Sequence, residues 1–203
     1  EACNAAVTDE DLFKQPPPTE ECPICMIPLP LCDAGRAYYA CCGKSICLGC
    51  IRADNTSDGR RICAFFRTPL HTSNGEYIKR IKKRVETGSD AQAMHELGCK
   101  YYLGTRGVPQ DYEKANDLWL RSGELGYSRA YNNLGVSYEY GRGVERQDAK
   151  AIYYYQLAAM GGSVFSRYNL GALEKNAGNM DRAVKHWMIA AGAGHDESLK
   201  AIR

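Results

Sequence analysis

Leu134-Gly135-Val136-Ser137-Tyr138-Glu139-Tyr140-Gly141-Arg142-Gly143-Val144 is the stretch that decides the fold. Its opening Leu-Gly recurs at Leu97-Gly98, 37 residues earlier, and at Leu170-Gly171, 36 residues later. The same grammar follows each pair. The first unit continues with Tyr101, Gly104, Gly107, Val108, Lys114, Ala115, Trp119 and Gly126. The second continues with Tyr138, Gly141, Gly143, Val144, Lys150, Ala151, Tyr155 and Gly162, and the third with Gly178, Ala183, Trp187 and Gly194. The third unit lacks the Gly-x-Gly-Val loop, so its internal connection is expected to be shorter. After Gly194 a fourth helix begins, with Ser198 and Ile202, and reads as a terminal cap. A period of this length signals stacked helical pairs.

The residue types carry a packing argument. Gly98 and Gly135 fall in mid-helix, where glycine costs about 1 kcal/mol against alanine. That cost makes sense if a neighbouring helix packs on the bare backbone. Ala115, Ala151 and Ala183 allow similarly close approach. Trp119, Tyr155 and Trp187 occupy one equivalent position and are expected to fill the space between helices, as core rather than as a ligand box. One such unit cannot bury its apolar face, but three stacked units can.

Upstream, residues 71–89 read as a basic connecting helix. Ile78, Ile81 and Val85 share one face while Lys79, Arg80, Lys82, Lys83 and Arg84 cover the rest. The basic run reads as a solvated face, with a nuclear-localisation or nucleic-acid patch as the alternative. Further upstream the cysteines crowd together: nine of the ten lie between Cys3 and Cys63. Cys22/Cys25 and Cys47/Cys50 have the spacing with which two thiolates grip one zinc ion. Cys41 and Cys42 are adjacent and poorly placed for a mutual disulfide. Metal binding is therefore preferred over a disulfide scaffold for residues 21–70. A segment so short and rich in turn residues has little core, so metal must supply much of its folding energy. Residues 1–20 contain Gln15-Pro16-Pro17-Pro18 and are expected to form a mobile lead-in.

Composition sets the outer bounds. The 203 residues are 44% apolar and carry a net charge of +2, which gives no strong pull toward nucleic acid or acidic membrane. No apolar run approaches the length of a membrane span. No secretory leader is visible, but residue 1 is Glu, so a fragment or a removed leader stays open. Thiolates beside a cysteine-poor repeat region fit a reducing compartment, hence an intracellular, cytoplasmic or nuclear location. No phosphate-cradling loop or hydrolase constellation stands out, and His95, His186 and His195 read as structural or solvated.

The Leu-Gly-x-x-Tyr opening, the Gly-x-Gly-Val loop, the Lys-Ala pair and the small-small-x-x-Gly ending over residues 90–203 resemble Sel-one-like repeats, relatives of tetratricopeptide repeats. That resemblance implies an all-α right-handed solenoid of paired helices that holds a protein partner and has no catalytic site. The order Cys22-Pro23-Ile24-Cys25, Cys41-Cys42-Gly43-Lys44 to Cys47-Leu48-Gly49-Cys50, and Cys63-Ala64-Phe65-Phe66-Arg67 resembles an all-cysteine RING finger. The resemblance implies a small zinc-stapled RING-like α+β module ahead of the solenoid, with Cys22, Cys25, Cys47 and Cys50 around one zinc. A second zinc would use Cys41, Cys42 and Cys63, but Phe66 stands where its last ligand belongs. Cys32 and His71 are off the family spacing. One firm zinc and a second that is weak or absent are expected. By the same resemblance Ile24, Phe65 and Arg67 would meet a ubiquitin-conjugating enzyme. Two functions follow as expectations: a RING-type ubiquitin ligase whose repeats recruit a substrate or scaffold, or a non-catalytic protein-interaction adaptor with a degenerate RING.

Overall fold

The computed structural model describes residues 7–31, 35–55, 62–70 and 73–203. Two short strands, β1 (Arg36–Tyr39) and β2 (Lys44–Cys47), and ten helices follow one another among them. The helices are α1 (Asp9–Leu12), α2 (Leu48–Asn55), α3 (Asn74–Glu86), α4 (Ala91–Leu103), α5 (Tyr112–Glu124), α6 (Ser128–Tyr140), α7 (Asp148–Met160), α8 (Val164–Asn176), α9 (Met180–Gly192) and α10 (Asp196–Ile202). Two compact units result: Thr19–Leu125, and a second joining the N-terminal residues up to Pro18 to Gly126–Arg203. None of the described helices is long and apolar enough to cross a membrane.

The repeat grammar becomes helical pairs α4/α5, α6/α7 and α8/α9. The mid-helix glycines sit where the aromatic residues land. A Cβ on Gly98 would come within 2.6 Å of Trp119, and one on Gly135 within 2.5 Å of the Tyr155 ring; on Gly171 it would run into Trp187. Each aromatic thus seals its own pair. Trp119 and Trp187 also spend their indole N–H groups inside the pair, on the carbonyls of His95 (3.3 Å) and Tyr168 (3.2 Å). Gly104 and Gly141 end α4 and α6 in the left-handed region, at φ 61° and 66°, where glycine carries no Cβ penalty. The third pair has the shorter connection: residues 177–179 join α8 to α9, whereas residues 104–111 and 141–147 serve the first two. His195 caps α10, its Nδ1 accepting from the Ser198 N–H.

In the unit Thr19–Leu125, α3 does more than connect. Tyr77, Ile78 and Ile81 are buried in one cluster with Tyr38 and Ala40 from the hairpin region and Met94, Leu97 and Leu118 from the first helical pair. Asp90 caps α4, accepting from the Ala93 N–H, and also accepts from the Tyr38 hydroxyl and the Arg84 guanidinium. The first helical pair therefore shares a core with the cysteine-bearing residues through α3.

In the other unit, the described part of the segment expected to be a mobile lead-in is packed around Leu12. Thr8 caps α1, and Leu12 is 1% exposed among Ala151, Tyr155, Ala159 and Leu170. The prolines do bar helix beyond Phe13. They do not bar packing of the apolar pair that precedes them.

Candidate metal centre

The site is built from two chain reversals of one design. In the first, the Cys22 N–H donates to Ile27 O, the Met26 N–H donates to Cys22 O, and Glu21 bridges to Pro28. In the second, the Cys63 N–H donates to Thr68 O, the Arg67 N–H donates to Cys63 O, and Ile62 bridges to Pro69. Met26 and Arg67 hold matching positive φ angles, 59° and 54°. This backbone presents the side chains at its first and fourth positions on one side. The first reversal offers Cys22 and Cys25; the second offers Cys63 and Phe66. Between them, β1 and β2 pair in antiparallel register, Arg36 with Cys47 through Tyr39 with Lys44. Their turn carries Cys41 and Cys42, with Gly43 at φ 72°. Cys47 ends β2 and Cys50 lies in the first turn of α2. A small cluster of Leu29, Tyr39 and Ile46 packs against the buried Cys22 and Cys63.

The fold brings the expected thiols together in two sets. The sulfurs of Cys22, Cys25, Cys47 and Cys50 all lie within 4.8 Å of one another, as do those of Cys41, Cys42 and Cys63. Cys22 and Cys50 stand 3.9 Å apart, and Cys25 and Cys47 3.8 Å apart. Four sulfurs at tetrahedral corners about 2.3 Å from a zinc ion stand about 3.8 Å from each other. The first set therefore fits a four-thiolate zinc site. Every described cysteine is a free thiol. Cys32 and His71, weighed as substitute ligands, lie outside the described residues, as does Cys3.

Acidity within the first set is uneven. Burial works against the Cys22 thiolate, but N–H groups of Cys47, Cys25 and Ile24 outweigh it and bring the thiol down to about 6. Burial, then the crowding of the Cys25, Cys47 and Cys22 sulfurs, pushes Cys50 up to about 12. Cys22 gives up its proton easily and Cys50 resists; a bound dication would remove that conflict by drawing both to thiolate. The three-thiol set repeats the pattern. Burial opposes ionisation of Cys63, yet N–H groups from Phe66 and Phe65 lower it, while burial and the Cys63 sulfur push Cys42 up to about 12.

No fourth donor joins Cys41, Cys42 and Cys63 among the described residues. Phe66 takes the equivalent backbone position and turns outward, 60% exposed, onto a cavity of about 420 Å³ also lined by Cys41, Arg80, Lys83 and Arg84. Its N–H still points at Cys63 Sγ, 3.5 Å away. The second reversal thus repeats the backbone of the first with a phenylalanine at its fourth position. Of the residues expected to meet a partner, Ile24 is 45% exposed and Arg67 is exposed, whereas Phe65 is half-buried beneath the Lys44 ammonium. Met26 and Ile27 are exposed beside Ile24 and extend the apolar tip of the first reversal. The run Ile24-Cys25-Met26-Ile27 carried that signal in the sequence, as apolar residues at a tight turn with no room to fold inward.

The architecture defines a class: paired-helix repeats with clusters of thiols ahead of the first repeat. Comparison with known proteins then fixes the repeats. The family model described as Sel1 repeat matches residues 91–127 and 128–163, and the chain carries Sel1 repeats there. Among curated relatives, the Arabidopsis thaliana ERAD-associated E3 ubiquitin-protein ligase component HRD3B is 33% identical over 121 residues, 58% of this chain and 19% of that protein. HRD3A of the same plant is 39% identical over 102 residues, 49% of this chain and 14% of that protein. This chain thus spans less than a fifth of the length of these relatives. Among solved structures, a Sel1 repeat protein from Oxalobacter formigenes aligns at TM-score 0.58 and 29% identity, over 62% of this chain and 52% of that one. A protective antigen of uropathogenic Escherichia coli displaying an SLR fold aligns at TM-score 0.60 and 25% identity, over 66% of this chain and 29% of that one. The helical repeat solenoid is thereby supported on both sequence and structure.

Proposed function

We propose that this chain is a non-catalytic protein-interaction adaptor of a ubiquitin-related pathway, working in a reducing compartment. Its Sel1 repeats bind one protein, and its thiolate module, a degenerate RING, presents a rigid surface to another. The observation that carries the reading is that each matched repeat closes its interior with its own side chains, Trp119 on Gly98 and Tyr155 on Gly135. Such repeats spend the space between their helices on packing and leave their outer faces for a partner. The relatives' printed role as components of a ubiquitin ligase supports the pathway.

In this reading Cys22, Cys25, Cys47 and Cys50 hold one zinc firmly, and Cys41, Cys42 and Cys63 hold a second weakly or not at all. Phe66→Cys would complete the second site, raising tightly held zinc from one ion per chain to two by elemental analysis. Two tightly held ions in the unaltered chain would contradict the account. One observation favours a ligase instead: Ile24 and Arg67 are exposed, as contacts with a ubiquitin-conjugating enzyme would require. Autoubiquitination against a panel of conjugating enzymes separates the two. The adaptor reading expects silence from folded, zinc-loaded chain. Ubiquitin transfer that is lost in Ile24→Ala would establish the ligase.

A further inference from the structure

We infer that the face of α7, α8 and α9 covered by Val7–Pro18 is a peptide-docking groove. Its ligand is a short helical segment of the pattern acidic-x-x-Leu-aromatic, presented by a partner in competition with the chain's own copy, Asp9-Glu10-Asp11-Leu12-Phe13. This rests on the reading of the repeats as a protein-binding surface and names the chemistry they select.

The segment sits as a ligand would. Leu12 enters a pocket of Ala151, Tyr155, Ala159 and Leu170 and is lost from solvent. The Phe13 ring lies 4.8 Å from the His186 ring, with Arg182 and Lys185 each 5.7 Å from its centroid. Both Asp9 carboxylate oxygens accept from Arg182 Nη1 at 2.5 Å, and Arg182 is held in turn by Glu174 at 2.8 Å. Asp9 and Leu12 are one helical turn apart and so reach the same wall. The alternating specificity of acid and apolar anchor is thus written in positions, not only in composition.

Charge complementarity supports the choice of ligand. The segment carries three acids in its single turn. Facing it are Arg182 and Lys185. Behind them Arg167, 2% exposed with no hydrogen-bond partner for its guanidinium nitrogens, adds cationic field close to His186. A buried unpaired cation favours an acidic visitor. The native segment is held by few anchors: Leu12 with Val7 beside it, the tilted Phe13 ring beneath two cations, and an ion pair whose carboxylate faces solvent, a kind that contributes little. Tethering keeps it in place, at an effective concentration of roughly millimolar. A partner segment of the same pattern, with a tighter fit or its own tether, displaces it.

The test uses the full chain, and a fluorescein-labelled peptide with the sequence of residues 7–18 read by anisotropy. The releasing variant Leu12→Asp, Phe13→Asp should bind the peptide at least about tenfold more tightly than the unaltered chain, because the tethered competitor is gone. Adding Arg182→Glu should abolish that gain, and a peptide carrying Asp9→Lys should restore part of it. If circular dichroism shows the releasing variant unfolded, Leu12→Ala, Phe13→Ala serves in its place with the same expectation. Equal binding by released and unaltered chains, or binding indifferent to Arg182→Glu, would overturn the groove. A chain that neither transfers ubiquitin nor binds the peptide loses the groove and keeps the adaptor reading. One that does both keeps the groove and loses the adaptor.

Discussion

The cysteine module and the Sel1 repeats reach rigidity by opposite means. The module gathers seven thiols around a core of little more than Leu29, Tyr39 and Ile46. In the reading proposed above, its order is ionic and depends on a bound zinc ion. The repeats bring backbones together at glycine and fill what remains with one large ring per pair. Their order is apolar and self-contained. Loss of a ligand therefore acts on the first region all at once, while loss of volume acts on the second in proportion to what is removed.

The largest effect separating the two should come from Cys50→Ser. A structural zinc contributes about 10–16 kcal/mol of apparent folding free energy in small zinc-folded domains. Losing one of four thiolates should therefore unfold residues 21–70, seen as collapsed amide dispersion, while α6–α10 keep their signals. Because Tyr38 and Ala40 share a core with α3 and α4, signals from those helices should broaden as well. Unperturbed α3 and α4 would show that the module and the first helical pair are independent. Next in size, Tyr155→Ala should cost about 3–5 kcal/mol in urea denaturation, the range for emptying a buried aromatic site. It removes the wall of the Leu12 pocket and the donor to Glu139 Oε2 at 2.6 Å.

An intermediate effect follows from pH. Burial first, and the nearby Arg167 second, bring His186 from the ordinary 6.5 down to about 4; Glu174 and Asp9 oppose this and Arg182 assists it. The unfolded chain then binds a proton that the folded chain refuses. Stability is full above about pH 6.5 and falls as pH drops toward 4, by about 2 kcal/mol at pH 5. His186→Gln should flatten that loss, read by Trp187 fluorescence in a Trp119→Phe background. An unchanged pH profile would remove His186 from the account. The smallest effect is the sharpest. Gly135→Ala gains up to about 1 kcal/mol of helix propensity but drives a Cβ to 2.5 Å from Tyr155, an overpacking that costs about 1–3 kcal/mol. With the full propensity gain, the net should be a loss of up to about 2 kcal/mol. With Tyr155→Leu in place, the same change should turn neutral or stabilising, because only the propensity is left.

What could be read from the sequence divides along the same line. The repeats were legible because their rules are local and recur: Leu-Gly, the left-handed loop glycines and the aromatic at one fixed offset each restate the geometry. Close approach at Gly98 and Gly135 was foreseen as a neighbouring helix on bare backbone; the nearest group at each is an aromatic ring, Trp119 and Tyr155. The four-thiolate nest was legible from spacing, since Cys-x-x-Cys leaves the backbone few ways to turn. Two features were not legible. Docking of Leu12 and Phe13 rests on a four-residue helix, too short to show periodicity, ahead of three prolines that announce only irregular chain. The core that joins Tyr38 to Tyr77 and Leu97 depends on contacts between distant segments, which no local pattern records.

The most direct measurement of the central claim is residue-resolved hydrogen exchange before and after zinc is stripped with a chelator. The account predicts that protection across residues 21–70 disappears with the metal while α6–α9 exchange as before. Retained protection of β1, β2 and α2 in metal-free chain would show that the module folds without an ion, and would contradict it.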